Sequence, residues 1–124
     1  MAEAIGAKLD HMDEANIYAS LPTRYDGQRH GMPATFHVDP HAILVNRQGQ
    51  RFTSEYAFNI GEALDQRAPD GSPLHLPTWV IADARFLKRA PAFRWYARKD
   101  PGWVLRADSI EELARRIAVP PDAL

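Results

Sequence analysis

Proline and glycine interrupt this sequence so often that only short helices and strands fit between them. The 124 residues include 10 Pro and 7 Gly. Proline removes a backbone donor and fixes φ, while glycine favours turns, so a coiled coil is excluded. The length is typical of one domain. We therefore predict a single α+β domain over residues 1–124, in which a β-hairpin and a short mixed sheet are packed by several short helices.

Charge and residue content exclude several classes of function. Lys and Arg number 15 against 16 Asp and Glu, for a net charge of -1, which leaves no positive excess for a nucleic-acid partner. The absence of Cys excludes disulfides, thiolate metal sites and cysteine nucleophiles. No apolar run approaches the roughly 20 residues of a membrane helix. The first residues have no signal-peptide pattern, so we expect a cytoplasmic protein without a membrane partner.

The clearest local pattern predicts a β-hairpin in the first half of the chain. Ala42–Val45 is an apolar run of high β propensity, and the segment Arg47-Gln48-Gly49 supplies a turn. Gln50–Thr53 then returns along the first strand.

Other elements are predicted from hydrophobic spacing and capping residues. Helices are predicted over Ala2–Leu9, Asn59–Gln66, Ala84–Arg89 behind an Asp83 cap, and from the Ser109–Glu112 capping box to about Ala118, with another helix starting at Pro120–Asp122. Strands are predicted over Asn16–Ser20, Thr78–Ala82 (as a buried strand) and Trp103–Leu105. Leu21–Pro40 and Ala90–Gly102 are predicted to be irregular, and a loop as long as the first is typical of a functional or covered surface.

A metal site is one hypothesis for the polar run before the hairpin. Alternation on a strand would place His37, Asp39 and His41 on one face, and these ligand types suit zinc or iron in a small hydrolase. Pro40 interrupts such a strand, however. The simpler interpretation is a polar approach to the hairpin without a metal.

Two further groups of residues carry candidate chemistry. Arg51 and Glu55 are spaced to pair with each other or to bind a carboxylate or carbonyl group. Tyr56 is a candidate general acid, although a tyrosine so close to Phe58 also suits packing. Residues 93–96 (FRWY) and Trp103 form an aromatic, basic patch that suits either ring stacking or a hydrophobic cluster.

Segments along nearly the whole chain resemble one flavoprotein family. The run 43–55, ILVNRQGQRFTSE, resembles a signature of the fumarate reductase/succinate dehydrogenase-like flavoproteins, which include the 3-ketosteroid dehydrogenases. Three more segments fit in order: MAEAIGAKLDHM at 1–12, LPTWVIAD at 76–83 and ADSIEELARRIA at 107–118.

The resemblance implies a fold and a function. In that family this region is the substrate-covering, or capping, α+β domain, which closes over FAD held by a separate Rossmann-like domain. This chain lacks the G-x-G-x-x-G fingerprint of such a domain. We therefore expect a domain fragment of an FAD-dependent oxidoreductase acting on a C–C bond next to a carbonyl or carboxylate. Its partners would be the FAD-binding domain and a small-molecule substrate, and alone it would be inactive and bind no FAD.

The resemblance also suggests site residues. Four positions after the signature Glu, fumarate reductases carry a proton-delivering Arg and steroid dehydrogenases a Tyr at about that place, whereas this chain has Asn59. An amide is no general acid at neutral pH, but Asn59 suits a hydrogen bond to a carbonyl. Tyr56 is the nearest hydroxyl.

The resulting assignment keeps alternatives open. The catalytic candidates are Asn59 and Tyr56, and the substrate-binding candidates are Arg51 and Glu55, for which a structural role is the alternative. We expect an exposed apolar patch around Tyr56, Phe58 and the 21–40 segment. The alternative function is a stand-alone, non-catalytic α+β binding module.

Overall fold

The α+β class is confirmed in the computed structural model, which describes residues 3–10, 20–33, 40–99 and 101–124. The strands are β1 (Ser20–Tyr25), β2 (Gln28–Pro33), β3 (Ala42–Val45) and β4 (Trp79–Ala82). The α-helices are α1 (Ile60–Leu64), α2 (Phe86–Arg89), α3 (Pro91–Lys99) and α4 (Ile110–Arg116). Short 3₁₀ helices span Glu3–Ile5, Pro101–Trp103 and Pro121–Ala123. In the described ranges both sheets are two-stranded and antiparallel.

The first sheet corrects the prediction of an irregular segment over 21–40 as far as residue 33, and residues 34–39 lie outside the described ranges. β1 and β2 form a hairpin in which Ser20 lies opposite Pro33. Asp26 and Gly27, at the turn, have φ of 50° and 75°, as a type I′ hairpin turn requires. Prolines are tolerated because each strand of a two-stranded sheet has an outer edge that needs no ladder bonds. The Asp-Gly pair is therefore the sequence signal for this turn, and it outweighs the proline content on which we based the prediction of a loop.

The second sheet corrects the hairpin predicted over 42–53. β3 pairs with β4, with Ala42 opposite Ala82, while the returning segment makes only an isolated bridge between Val45 and Arg51. The backbone N–H of Leu44 points away from β4 and donates to a side chain, Glu55 Oε1. The Glu55 carboxylate thus accepts the hydrogen bond that a backbone carbonyl of a returning strand would have accepted.

β4 has an open outer edge and is only half-buried, not buried as predicted. The N–H of Asp83 donates to the carbonyl of His41 at 3.2 Å, which extends the ladder by one pair. By the alternation of antiparallel bonding, the backbone groups of Val80 and Ala82 point away from β3. Within the described parts of the chain, the outward backbone groups of these two residues have no hydrogen-bond partner. Both residues are exposed.

The cap predicted for α4 is confirmed, whereas Asp83 caps the turn that leads into α2, because that helix starts at Phe86, two residues later than predicted. Asp83 Oδ1 accepts from the N–H of Arg85 at 2.8 Å, just before α2. At the start of α4, Ser109 Oγ accepts from the N–H of Glu112 at 3.1 Å. The Glu112 carboxylate reaches back to the N–H of Asp108 at 3.3 Å. These devices are local in sequence, which is why they were readable from it.

Three predicted boundaries are wrong. The 90–102 segment contains α3, which starts at Pro91, a residue favoured in the first helical turn. Trp103 ends a 3₁₀ helix rather than starting a strand, and its ring meets Phe93 edge-on at 5.1 Å, as Phe93 does with Phe86. Of the helix predicted over Ala2–Leu9, the described residues keep only a 3₁₀ turn at Glu3–Ile5, because Gly6 has a φ of 78°.

The core is built from residues of β3, of the four α-helices and of the segment that follows α4. Its buried apolar residues are Leu44, Val45, Ile60, Phe86, Ala90, Ala97, Ala114, Ile117 and Val119. Gly49, in the turn after β3, is seated against the end of the chain: a Cβ there would lie 2.7 Å from Val119 Cγ1. The turn that precedes the candidate site is therefore packed against the C-terminal segment of the chain.

Candidate functional site

The Arg51–Glu55 pair forms the anchor of the candidate site. Glu55 is only 3% exposed. Its Oε1 accepts from the N–H of Leu44 at 2.9 Å and from Arg51 Nε at 3.0 Å, and its Oε2 accepts from Arg51 Nη2. The Arg51 side chain as a whole is about half exposed. The geometry is a two-pronged charge-assisted contact, which fixes both groups.

The electrostatics of this pair favour its charged form. Burial by itself raises the pKa of Glu55, but the hydrogen bonds from Arg51 and from the Leu44 amide outweigh it and leave that pKa below its ordinary value. The hydrogen bond to Glu55 also raises the pKa of Arg51. Both residues carry their charges at neutral pH, and each charge is committed to the other.

A buried Asn46, which the sequence did not single out, shapes the turn between β3 and Arg51. Its Oδ1 accepts from the backbone N–H groups of Gln48 and Gln50, both at 3.0 Å. Its backbone carbonyl accepts from Gly49 at 2.9 Å. An asparagine directly before a glycine-containing turn is the signal that predicts such side-chain bonding.

The other amide atom of Asn46 defines the role of His75. Because Oδ1 is committed to two donors, Nδ2 faces His75 Nδ1 at 3.3 Å and donates to it. The ring proton is then on Nε2, which donates to Gln66 Oε1 at 3.0 Å. The ring also stacks on Phe52, with 4.2 Å between centroids. No local sequence pattern could have identified His75, since Asn46 lies 29 positions away.

The catalytic candidates lie on the exposed loop that follows Glu55. Tyr56 is 71% exposed and Phe58 is fully exposed, as predicted for the patch around them. Asn59 is exposed and directly precedes α1, but its side chain makes no capping hydrogen bond. Tyr56, Phe58 and Asn59 therefore lie on one loop. This loop begins at Glu55, whose buried carboxylate is bonded to Leu44 and Arg51.

The metal hypothesis falls largely outside the described residues. His37 and Asp39 are not among them, whereas His41 is exposed at the start of β3 with a φ of 73°. In the described ranges no three His, Asp or Glu side chains are grouped as a metal site. Likewise, among those residues no helix is long and apolar enough to cross a bilayer.

The aromatic patch divides into two parts. Phe93 and Trp103 pack with Phe86 in edge-on contacts, which agrees with the hydrophobic-cluster interpretation. Trp95, in contrast, is 54% exposed. Only Trp95 of these three rings therefore has a large exposed surface.

Comparison with known proteins finds similarity to one enzyme. The chain is similar to part of a 3-oxosteroid 1-dehydrogenase. The identity is 30% over 139 aligned residues, for the proteins of two Mycobacterium tuberculosis strains, H37Rv and CDC 1551. The alignment covers 99% of this chain but only 23% of each relative. No family model matches the chain.

Proposed function

We propose that this chain is the substrate-covering domain of an FAD-dependent oxidoreductase that acts on a C–C bond next to a carbonyl group. Similarity to part of a 3-oxosteroid 1-dehydrogenase supports the enzyme class. The family-like runs at 43–55 and 76–83 support the domain role. They correspond to β3 with the anchored Glu55, and to β4, so they meet in one sheet.

The observation that carries the proposal is the anchored loop with its exposed polar and aromatic tip. Glu55 ties the loop to β3 through the Leu44 amide. Tyr56 and Phe58 then expose most of their rings to solvent, and exposed apolar groups that lie together are typical of an interaction site. Beside them Asn59 offers an amide N–H₂ to a substrate carbonyl oxygen, and Tyr56 a hydroxyl.

Charge favours a neutral ketone over a dicarboxylate as the substrate. Arg51 is the sole cation between residues 51 and 66, where Glu55, Glu62 and Asp65 are the other charged residues. Its guanidinium is held by Glu55 on two nitrogens. A carboxylate substrate would therefore meet acidic groups and aromatic rings, whereas an apolar ketone would meet suitable partners.

FAD itself does not fit the residues described here. A dinucleotide site needs a glycine-rich turn that leads into a helix N-terminus. In the described segments the glycines with positive φ, Gly6, Gly27, Gly49 and Gly71, lie singly in turns. Flavin binding and hydride acceptance are thus assigned to another part of the parent protein, and this chain contributes substrate contacts.

The test is an anaerobic flavin titration of the complete reading frame that contains this chain. We expect that protein to show flavin absorption and its flavin to be reduced by a 3-oxosteroid but not by succinate. The 124-residue chain alone should be colourless and inactive. Flavin bound by the chain alone, or reduction by succinate alone, would contradict the proposal. A flavin-free protein that still binds the steroid would favour the alternative of a non-catalytic binding module.

A further inference from the structure

The nearly neutral net charge of this protein conceals a strong asymmetry along the chain. Residues 85–106 contain seven of the 15 Lys and Arg residues but only one of the 16 Asp and Glu residues. This segment spans α2, α3 and the 3₁₀ helix after them. The remainder of the chain is therefore acidic, and the positive charge is concentrated in this one stretch of sequence.

Helix α3 presents much of this charge on one side. Phe93 and Ala97 face the interior, since Ala97 is buried and Phe93 packs on neighbouring rings. The opposite side, which we call the basic face, consists of Arg94, Trp95, Arg98 and Lys99, all exposed. The spacings 94–98 and 95–99 are one helical turn each, so these side chains are neighbours on the surface.

An aromatic ring lies in the middle of the basic face. Trp95 is 54% exposed, and Lys99 Nζ lies 5.2 Å from its ring centroid. Tryptophan rings prefer the headgroup level of a bilayer, and clustered Lys and Arg side chains are attracted to anionic lipids. Lys88 and Arg89, in the last turn of α2, add two more exposed cations close in sequence.

We propose that the basic face docks this protein on an anionic lipid surface, with Trp95 inserted among the headgroups. This contact is peripheral, and it runs against the expectation from composition that the protein has no membrane partner. The expectation used the whole-chain charge, whereas a planar surface meets only one side of the molecule. Nucleic acid is disfavoured because a long polyanion would extend beyond the basic face and be repelled by the acidic residues of the rest of the chain. The inference is independent of the proposed enzymatic function.

The experiment measures co-sedimentation of the 124-residue protein with vesicles. Vesicles of phosphatidylserine and phosphatidylcholine in equal parts are compared with vesicles of phosphatidylcholine alone, at low and high salt. We expect binding only to the anionic vesicles, weakened by salt because the contact is electrostatic. Tryptophan emission should shift to the blue on binding, and the shift should be lost in Trp95→Phe.

Charge variants separate the basic face from charge in general. Arg98→Glu/Lys99→Glu should reduce vesicle binding at least about tenfold. Arg98→Gln/Lys99→Gln, which keeps helix-forming residues, should reduce it by a smaller factor. The matched control, Arg47→Glu/Arg115→Glu, changes the net charge equally at exposed positions outside the basic face and should bind almost as the unmodified protein does.

Three outcomes would overturn the proposal. They are failure of the unmodified protein to bind anionic vesicles, equal loss of binding in the two charge-reversal variants, and tighter binding to a random-sequence DNA duplex than to the vesicles. A blue shift that persists in Trp95→Phe would overturn the insertion of that ring.

Discussion

The buried carboxylate of Glu55 takes the position of a neighbouring strand beside β3. It accepts the outward-pointing N–H of Leu44 and is neutralised by Arg51. A buried N–H without an acceptor is costly, and so is a buried charge without a partner. One side chain therefore satisfies the edge of the sheet and fixes the start of the candidate substrate loop.

Replacement of this carboxylate should destabilise the fold. Glu55→Gln keeps an acceptor for the Leu44 N–H but removes the charge that holds Arg51, so we expect the free energy of unfolding to fall by about 1–3 kcal/mol. Glu55→Ala, which removes the acceptor as well, should cost more. Urea denaturation measures both. Glu62→Gln, on the exposed side of α1, serves as control and should change stability by less than about 0.5 kcal/mol.

Acid should weaken the fold through the same residue. The pKa of Glu55 lies below its ordinary value in the folded state, where hydrogen bonds outweigh burial. The stabilisation is therefore present above the unfolded pKa, about 4.3, and is lost as the pH falls through the folded pKa. Urea midpoints at a series of pH values should drop more steeply below about pH 4.3 in the unmodified protein than in Glu55→Gln. Parallel curves would contradict this assignment.

Two glycines with the same backbone conformation allow the cost of a steric clash to be separated from the cost of backbone strain. Gly49 and Gly71 have φ of 78° and 79°. A Cβ on Gly49 would lie 2.7 Å from Val119 and 2.9 Å from Ala123, whereas a Cβ on Gly71 would meet nothing within 4 Å. Gly71→Ala should cost only backbone strain, about 1–2 kcal/mol, and Gly49→Ala about 1–3 kcal/mol more. Equal costs by thermal or urea unfolding would show that the turn is not held against the chain end.

At the level of elements, the features that sequence predicts are those with local causes. The bonds of Ser109 and of Asp83 each join residues within four positions of one another. The Asp26-Gly27 turn is equally local, but the proline content around it led us to predict an irregular segment instead. The partner of β3 lies more than 30 positions away, so the pattern around 42–53 indicated a local hairpin instead. Helix α3 was likewise missed, because the contacts of its Phe93 with Phe86 and Trp103 lie outside the local pattern of the helix.

In the candidate site too, contacts between residues close in sequence were predictable, whereas contacts between distant segments were not. The spacing of Arg51 and Glu55 predicted their pairing, but not that the carboxylate is buried and bonded to Leu44, 11 positions earlier. Asn46 had a readable turn signal, whereas the bond to His75 depends on how two distant segments pack. The roles of Tyr56 and Asn59 remain predictions.

The two edges of the β3–β4 sheet should differ in amide exchange. The Leu44 N–H is bonded to a buried carboxylate, while the outward N–H groups of Val80 and Ala82 have no partner in the described residues. We therefore expect slow hydrogen–deuterium exchange at Leu44 and fast exchange at Val80 and Ala82, measured by NMR. Glu55→Ala should accelerate exchange at Leu44. Slow exchange at Val80 and Ala82 would mean that another segment covers β4.

For the whole molecule, the chain corresponds to about a quarter of the length of its curated relatives. Its described residues include the loop that we propose contacts substrate, and the glycines of positive φ among them lie singly in turns rather than in a dinucleotide phosphate site. The loop and the basic face lie on different elements, the segment before α1 and helix α3. Substrate contact and surface docking can therefore be tested by separate variants.

The most direct measurement is single-turnover flavin reduction by a 3-oxosteroid in the complete protein that contains this chain. Asn59→Ala should slow reduction about fivefold or more, because a hydrogen bond to the reacting carbonyl is lost. Tyr56→Phe should slow it as well if the hydroxyl transfers a proton, and Glu62→Gln, one turn further on, should leave the rate unchanged. Reduction at the unmodified rate in both Asn59→Ala and Tyr56→Phe would contradict the assignment of this loop to the substrate.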